Sequence, residues 1–292
     1  MVVLALDRGS IVGVLPAIQE EDKILSRLYI SLSRSTDPTA VGDALARGLL
    51  AGAGSAVLLT VDSWTALDRF ERYNFRSRML EGVVMLDLKQ GSQVLFKQLN
   101  SKRRANIRSA IRHGVEVFEP RSEEDIRSFY AVYSAWHGTK RKHIHGTKLS
   151  LDIFLQRFRL KNNFQIFLAS LSGKVIAGVT LRMQGTLVEA ANNSSLDDFL
   201  YSRPNDLLFW NAIESAGRNG FSRFSFGGGH RFAREFGGTL TPVYRYRLDR
   251  TRLHRYDAWE RLINTGREVL RTMPRPIEEA VRQLLGKPLK GC

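Results

Sequence analysis

Two stretches far apart in the chain spell nearly the same β-hairpin, and that likeness constrains the fold more than any total does. Arg8-Gly-Ser-Ile-Val-Gly-Val-Leu-Pro16 and Ser172-Gly-Lys-Val-Ile-Ala-Gly-Val-Thr180 each set a glycine-containing turn between β-branched runs. The residues after each hairpin also match. A helix begins with proline in its first turn, where the missing N–H costs nothing: Pro38 ahead of Ala44, Leu45 and Leu49, and Pro204 ahead of Leu207, Leu208, Trp210 and Ile213. Each helix stops at a glycine, Gly54 or Gly220, and runs into an apolar strand at 56–61 or 221–226. An Arg-Phe segment comes next, Arg69-Phe70 or Arg231-Phe232, and then a final strand at 79–88 or 243–248. The offset stays near about 165 residues, and matches repeated in one order are hard to obtain from composition alone. The sequence therefore predicts a duplicated unit ordered hairpin, strand, helix, strand, short helix, strand.

The second copy has more in front of its hairpin: a strand at 115–118 and helices at 123–136 and 151–160. The first copy is expected to be truncated by that strand and two helices. The predicted boundaries are a partial first domain at 1–90, a complete second domain at 91–250, and a basic helical tail at 251–292. In the complete copy the order β, α, α, β, β, β, α, β, α, β resembles that of the GNAT, or acyl-CoA N-acyltransferase, fold. The expected class is α/β, a tandem GNAT-like fold with mixed, largely antiparallel sheets flanked by helices.

Charge narrows the partner. Lys and Arg total 44 against 29 Asp and Glu, a formal +15, which favours an anionic partner: nucleic acid, a phosphorylated small molecule or a membrane surface. The single cysteine, Cys292, excludes an internal disulfide framework and a cysteine-rich metal site, and it fits a reducing compartment. No run reaches the roughly 18 consecutive apolar residues of a spanning helix, and the start lacks the charged and apolar regions of a signal peptide. The expected location is cytoplasmic.

The most basic segment, 92–113, reads as one helix closed by Gly114. Leu95, Phe96, Leu99, Ile107, Ala110 and Ile111 share one face at 100° per residue, and Arg104, Arg108 and Arg112 step along the other. Arg103 falls in the middle of the apolar face, with Asn106 at its edge. A guanidinium among core residues needs a carboxylate, carbonyl groups or a ligand phosphate for its donors, so a structural ion pair and a ligand contact both fit.

The run Lys102-Arg103-Arg104-Ala105-Asn106-Ile107-Arg108, continued by Ala110 and Gly114-Val115, resembles the opening of the second GNAT domain in the FemAB-like family of acyltransferases. Thr139-Lys140-Arg141, Pro204-Asn205-Asp206-Leu207-Leu208-Phe209-Trp210, and Phe226-Gly227-Gly228-Gly229 ahead of Phe232 and Phe236-Gly237 follow in that family's order. The resemblance covers roughly 80–250 and is weak before that. It implies transfer of an N-acyl or aminoacyl group to an amine of a cell-envelope or glycan precursor. It also implies substrate contacts from Arg103, Arg104, Asn106, Arg108, Lys140, Arg141, Asn205, His230, Arg231 and Arg234. The family usually places lysine directly after the phenylalanine at 232, where this chain has Ala233, so Arg231 or Arg234 is expected to stand in for it.

Acyl transfer to an amine needs a positioned donor, a deprotonated amine and hydrogen-bond donors for the developing oxyanion, with no covalent nucleophile. CoA-using members hold the pyrophosphate in a glycine-rich loop ahead of a helix. Here that connection, 192–204, contains no glycine and two aspartates. CoA binding in the usual manner is therefore disfavoured, and the FemAB-like resemblance implies aminoacyl-tRNA or another activated acyl donor instead, with acyl-CoA as the alternative and an inactive polyanion-binding module as the third reading. No resident cofactor is expected. His137, His143 and His145 lie close in sequence without carboxylates or cysteines nearby, which reads as loop rather than metal site. The arginine-rich tail, with Trp259, Leu262, Ile263, Val269 and Leu270, reads as amphipathic helix able to dock on the first domain or to touch anionic lipid.

Overall fold

The computed structural model describes residues 1–26, 31–32, 37–64, 66–140 and 148–272. The chain forms two compact units, Met1–Glu81 with Pro242–Cys292, and Gly82–Thr241.

The first unit opens with the expected hairpin, β1 (Val2–Asp7) and β2 (Ser10–Pro16), turning through Arg8 and Gly9 at φ 49° and 81°. Between that hairpin and the first helix, where the sequence predicts one strand, lie three: a second hairpin, β3 (Ile18–Glu20) and β4 (Lys23–Ser26), and the short β5 (Ser31–Leu32), which pairs with β2. Helix α1 (Pro38–Gly52) starts where predicted: Asp37 accepts the Thr39 N–H at 2.9 Å and Pro38 fills the first helical position. Its Val41, Leu45 and Leu49 are buried against the β1–β2 hairpin. At Gly13 a Cβ would fall 2.3 Å from Val41 Cγ1, so the helix approaches β2 only because that residue has no side chain. β6 (Leu58–Ser63) lies parallel to β4, and β7 (Arg76–Asp87) passes into the second unit at Gly82.

In the second unit the predicted single helix over 92–113 is two helices, α2 (Ser92–Gln98) and α3 (Ser101–Arg112). Leu99 and Asn100 leave helical geometry at ψ 141° and 142°, and the Asn100 side chain accepts the Lys102 N–H at 2.9 Å. An asparagine bonds the backbone better as a cap than inside a helix, which places the break. Ile111, assigned to the apolar face, is 60% exposed. β8 (Glu116–Phe118), α4 (Glu123–Lys140) and α5 (Leu151–Arg159) come next, as expected. The antiparallel run of β9 (Phe164–Leu171), β10 (Lys174–Gln184) and β11 (Leu187–Ser195) leads through a 3-10 turn to α6 (Pro204–Arg218). β12 is only Arg223–Ser225, shorter than predicted, and α7 (Arg231–Arg234) is a single turn.

Within this unit the strand order is β7-β12-β11-β10-β9-β8, and only β11 and β12 run parallel. Strand alternation sorts β10 between two cores. Ala177, Val179 and Leu181 pack with Leu207, Leu208 and Trp210 of α6, while at Gly178 a Cβ would lie 2.4 Å from the Phe129 ring of α4. The unit is a mixed α/β structure with a largely antiparallel sheet flanked by helices.

β13 (Thr239–Asp249) returns to the first unit at Pro242 and pairs antiparallel with β6, from Tyr244↔Ser63 to Asp249↔Leu58. The chain then forms α8 (Arg255–Thr272), so the first unit includes the start of the basic tail. Trp259 and Leu262 are exposed there, whereas the Ile263, Val269 and Leu270 side chains and residues 273–292 lie outside the described residues. Among the described residues, no helix is long and apolar enough to cross a membrane.

Candidate active site

Two parallel strands that part company make the most distinctive cavity of the second unit. β11 and β12 pair only from Leu187 to Glu189 and Arg223 to Ser225. Beyond that point β11 continues beside β10, while the other chain turns away through Phe226 and Gly227, the latter at φ 68°. A Cβ on Gly227 would sit 2.7 Å from the Ala190 carbonyl oxygen, so glycine lets the two backbones touch at the apex. Past the apex opens a cavity of about 400 Å³. A crevice at the carboxyl ends of diverging parallel strands is where α/β sheets place ligands.

One wall is β11. Its pairing with β10 shifts between Leu181↔Ala190 and Thr180↔Asn192, so a bulge leaves Ala191 out of the ladder, and Ala191 lines the cavity. Beside it a chain of amides is fixed in register. Asn193 Nδ2 donates to the Gly178 carbonyl at 3.3 Å and to Asn205 Oδ1 at 3.2 Å, and Asn205 Nδ2 donates to Ser195 Oγ at 3.1 Å. Asn192 is held from behind, because Arg157 of α5 donates to its Oδ1. A guanidinium can only donate, so the bond fixes which end of the Asn192 amide is oxygen and leaves the NH₂ end for the cavity that Asn192 lines. The opposite wall is aromatic. Phe209 stacks on Phe226 at 5.4 Å, and Phe232 meets Phe209 edge-on at 5.4 Å. His230 lines the rim and accepts the Ala233 N–H at Nδ1, 3.3 Å, which in a neutral ring puts the proton on Nε2.

The electrostatics behind β11 are lopsided. Arg182 pairs with the buried Glu189, but Arg157 meets no carboxylate among the described residues, only the Asn192 amide and the Phe164 ring at 5.4 Å. Burial, then repulsion from Arg182, hold the Arg157 guanidinium below its ordinary value.

The predicted site residues scatter around this cavity. Asn205 and His230 line it. Arg103 stands behind it, with its guanidinium 4.2 Å over the Phe232 ring. It donates from Nη1 to Asp206 at 2.7 Å, and from Nε and Nη2 to Glu235 at 2.9 and 2.6 Å. Asn106 joins the same Asp206 carboxylate at 3.3 Å. Burial raises the Glu235 carboxyl, but hydrogen bonds from Arg231 and Arg103 outweigh it and leave the group below its ordinary value. Of the two readings of Arg103, its geometry is that of an ion pair tying α3, α6 and α7 together. Arg104 closes the end of α2 by donating to the Lys97 and Leu99 carbonyls, and Arg108 is exposed beside Phe96. Arg231 is 86% exposed and bonded to Glu235, and Arg234 donates to the Gly229 carbonyl at 2.6 Å. Ala233 is fully buried, so no lysine could take its place without upsetting the core. The Lys140 side chain, Arg141, His143 and His145 lie outside the described residues.

Arg157, Asn192 and the Ala191 bulge escaped the sequence reading. Arg157 carried the same signal as Arg103, an arginine close to the Phe154–Phe158 apolar face of its helix. Asn192 and Asn193 read as a connection in the sequence because asparagine is a poor strand former. Among the described residues, a separate cluster of liganding groups, Asp249, His254 and Asp257, belongs to the entry of α8. Asp249 there accepts the N–H groups of Thr251 and Asp257, each at 3.0 Å. Arg76 lies 3.2 Å from the Asp257 carboxylate.

Residues 101–236 match the family described as Acetyltransferase (GNAT) domain. The fold is GNAT-like. A FemX crystal structure superposes with TM-score 0.61 at 12% identity, covering 85% of this chain and 87% of that one. The L-PGS of Bacillus licheniformis gives 0.58 at 14%, covering 82% and 81%. The C-terminal domain of a protein described as a putative lysylphosphatidylglycerol synthetase, from Agrobacterium fabrum, gives 0.62 at 12%, covering 87% and 85%. No curated protein sequence matches the chain.

Proposed function

We propose that this chain transfers an acyl or aminoacyl group to an amine of a cell-envelope or glycan precursor, and that the cavity between β11 and β12 is where the transfer occurs. The observation that carries the reading is the β11 wall: the Ala191 bulge and the Arg157-clamped Asn192 amide, set opposite Phe209, Phe226 and Phe232. The amine nitrogen attacks the donor carbonyl carbon, the bond from that carbon to the donor breaks, and the donor leaves as its hydroxyl or thiol with the amine's proton. The Asn192 NH₂ offers a hydrogen bond to the carbonyl oxygen as negative charge develops there. The aromatic wall keeps water from competing for the ester. In this reading Asn205 and His230 meet the ligand, while Arg103, Asn106 and Arg234 hold the wall in place. Arg104, Arg108 and Arg231 are left for longer-range attraction of a polyanion.

The start of α6 supports a donor other than CoA. Pro204 removes one N–H from its first turn, and Asp206 already places a carboxylate there, where a pyrophosphate would otherwise sit. Aminoacyl-tRNA suits the +15 charge, and one of the similar folds is described as a putative lysylphosphatidylglycerol synthetase, whose named product is an aminoacylated lipid. The family description favours the second reading, an acyl-CoA-dependent N-acetyltransferase. The similar element order of the two units supports reading the first as a shortened copy of the second. Radiolabelled aminoacyl-tRNA and radiolabelled acetyl-CoA, each offered with amine-bearing envelope precursors, separate the two. Label passing from tRNA into a base-stable amide is the expected result. Turnover with acetyl-CoA alone would give the second reading, and RNA binding without turnover would reduce the chain to a polyanion-binding module.

A further inference from the structure

A second concavity, in the first unit, is lined by arginines from three elements. Arg76 and Arg78 on β7 and Arg245 and Arg247 on β13 stand two residues apart on their strands, which puts each pair on one face, and α8 adds Arg261. They surround a space of about 240 Å³. Among the described residues, three carboxylates meet these cations. Asp62 takes Arg245 in a two-bond fork at 2.8 and 2.9 Å. Asp257 and Glu260 are shared: Arg247 bonds Glu260 and lies 3.6 Å from Asp257, Arg76 reaches Asp257 at 3.2 Å, and Arg78 reaches Glu260 at 3.5 Å. Among the described residues Arg261 has only the Asp257 carbonyl, 3.4 Å from its Nε.

The cluster is rich in cations and lightly bonded. Among the described residues five arginines line one small space with the Asp257 and Glu260 carboxylates, and Arg76, Arg78 and Arg261 each engage one donor out of the five a guanidinium carries. The Nε of Arg247 is buried with no partner among the described residues. Like charges crowded together repel unless an anion joins them. All five are arginine and none is lysine, and the planar fork of arginine matches the paired oxygens of a phosphate.

We infer that this concavity is a phosphate-binding site, taking one or two phosphoryl groups of a ligand. It stands apart from the acyl-transfer reading, since none of its residues lines the β11–β12 cavity. The phosphate comes from a soluble phosphorylated molecule or from a lipid headgroup, and the chemistry of recognition is the same for both.

The test titrates the full chain with inorganic pyrophosphate by calorimetry, with sodium chloride of matched ionic strength as control. Saturable binding is expected, weakened by about tenfold or more in R76A/R78A, whose side chains are each 56% exposed and whose loss leaves the core intact. R76K/R78K, which keeps the charge and loses the fork, is expected to fall between the two. No heat beyond the chloride control, or equal affinity in wild type and R76A/R78A with unchanged circular dichroism, overturns the inference. Sedimentation with phosphatidylglycerol vesicles names the source: loss of sedimentation in R76A/R78A assigns the phosphate to a lipid headgroup, and indifference to the substitution assigns it to a soluble ligand.

Discussion

Arg103 and Arg157 are both arginines set among the apolar side chains of amphipathic helices, and their surroundings divide them. Arg103 meets Asp206 and Glu235, and its own side chain is 12% exposed, so its charge is cancelled in place. Arg157 meets an amide, an aromatic ring and the repulsion of Arg182. A buried cation with two carboxylates is a finished structural unit, whereas one held by a single side-chain amide leaves local positive charge behind the wall it supports. That wall is β11, where Asn192 and the Ala191 bulge face the cavity. The difference between a tie and a site thus lies in what answers the charge, not in the presence of the charge.

Removing each cation should expose this contrast. R103M leaves the buried Asp206 carboxylate without its guanidinium partner and Glu235 with only the exposed Arg231, and is expected to cost about 3–5 kcal/mol, read from urea denaturation. A loss below about 1 kcal/mol would mean the network is not the tie described. R157M should do the reverse, moving stability by about 1 kcal/mol or less while acyl transfer falls by about 10²-fold as Asn192 loses its clamp. A stability loss as large as that of R103M would erase the distinction.

pH should produce a smaller effect. The folded state favours ionised Glu235 more than the unfolded chain does, so its contribution is complete above the ordinary value of 4.5 and is lost as pH falls through the lowered folded value. Acid titration of stability should show that loss below about pH 4.5 in wild type and a shallower one in E235Q, with R157M behaving as wild type. Smallest of all, R108A on the exposed face should stay within about 0.5 kcal/mol of wild type. Its affinity for bulk tRNA should fall modestly and with a weaker salt dependence, and an unchanged salt slope would remove that face from any polyanion contact.

Much of the fold could be read from the chain because its punctuation is local. Pro38, Pro204, Gly9 and Gly173 fix turns and helix starts through their own backbone preferences, and the elements appear beside them. The break at Asn100 was equally local, but the apolar spacing across it masked the cap. The site was less legible because it depends on pairs distant in sequence. Nothing near Arg157 says that it meets Asn192, which lies 35 residues away across the sheet. Nor does the neighbourhood of Arg103 reveal Glu235, 132 residues on. Asn205, within a family motif, and His230, beside the glycine run, were named from the sequence and line the cavity, whereas the β11 wall escaped it because the wall is shaped by a bulge, which no residue type announces.

Asn192 is the residue on which the proposed acyl transfer depends most. Single-turnover amide formation by Asn192→Ala, at saturating donor, is predicted to slow by about 10²-fold with unchanged circular dichroism and donor affinity within about twofold of wild type. A wild-type rate would place the chemistry away from the β11–β12 cavity.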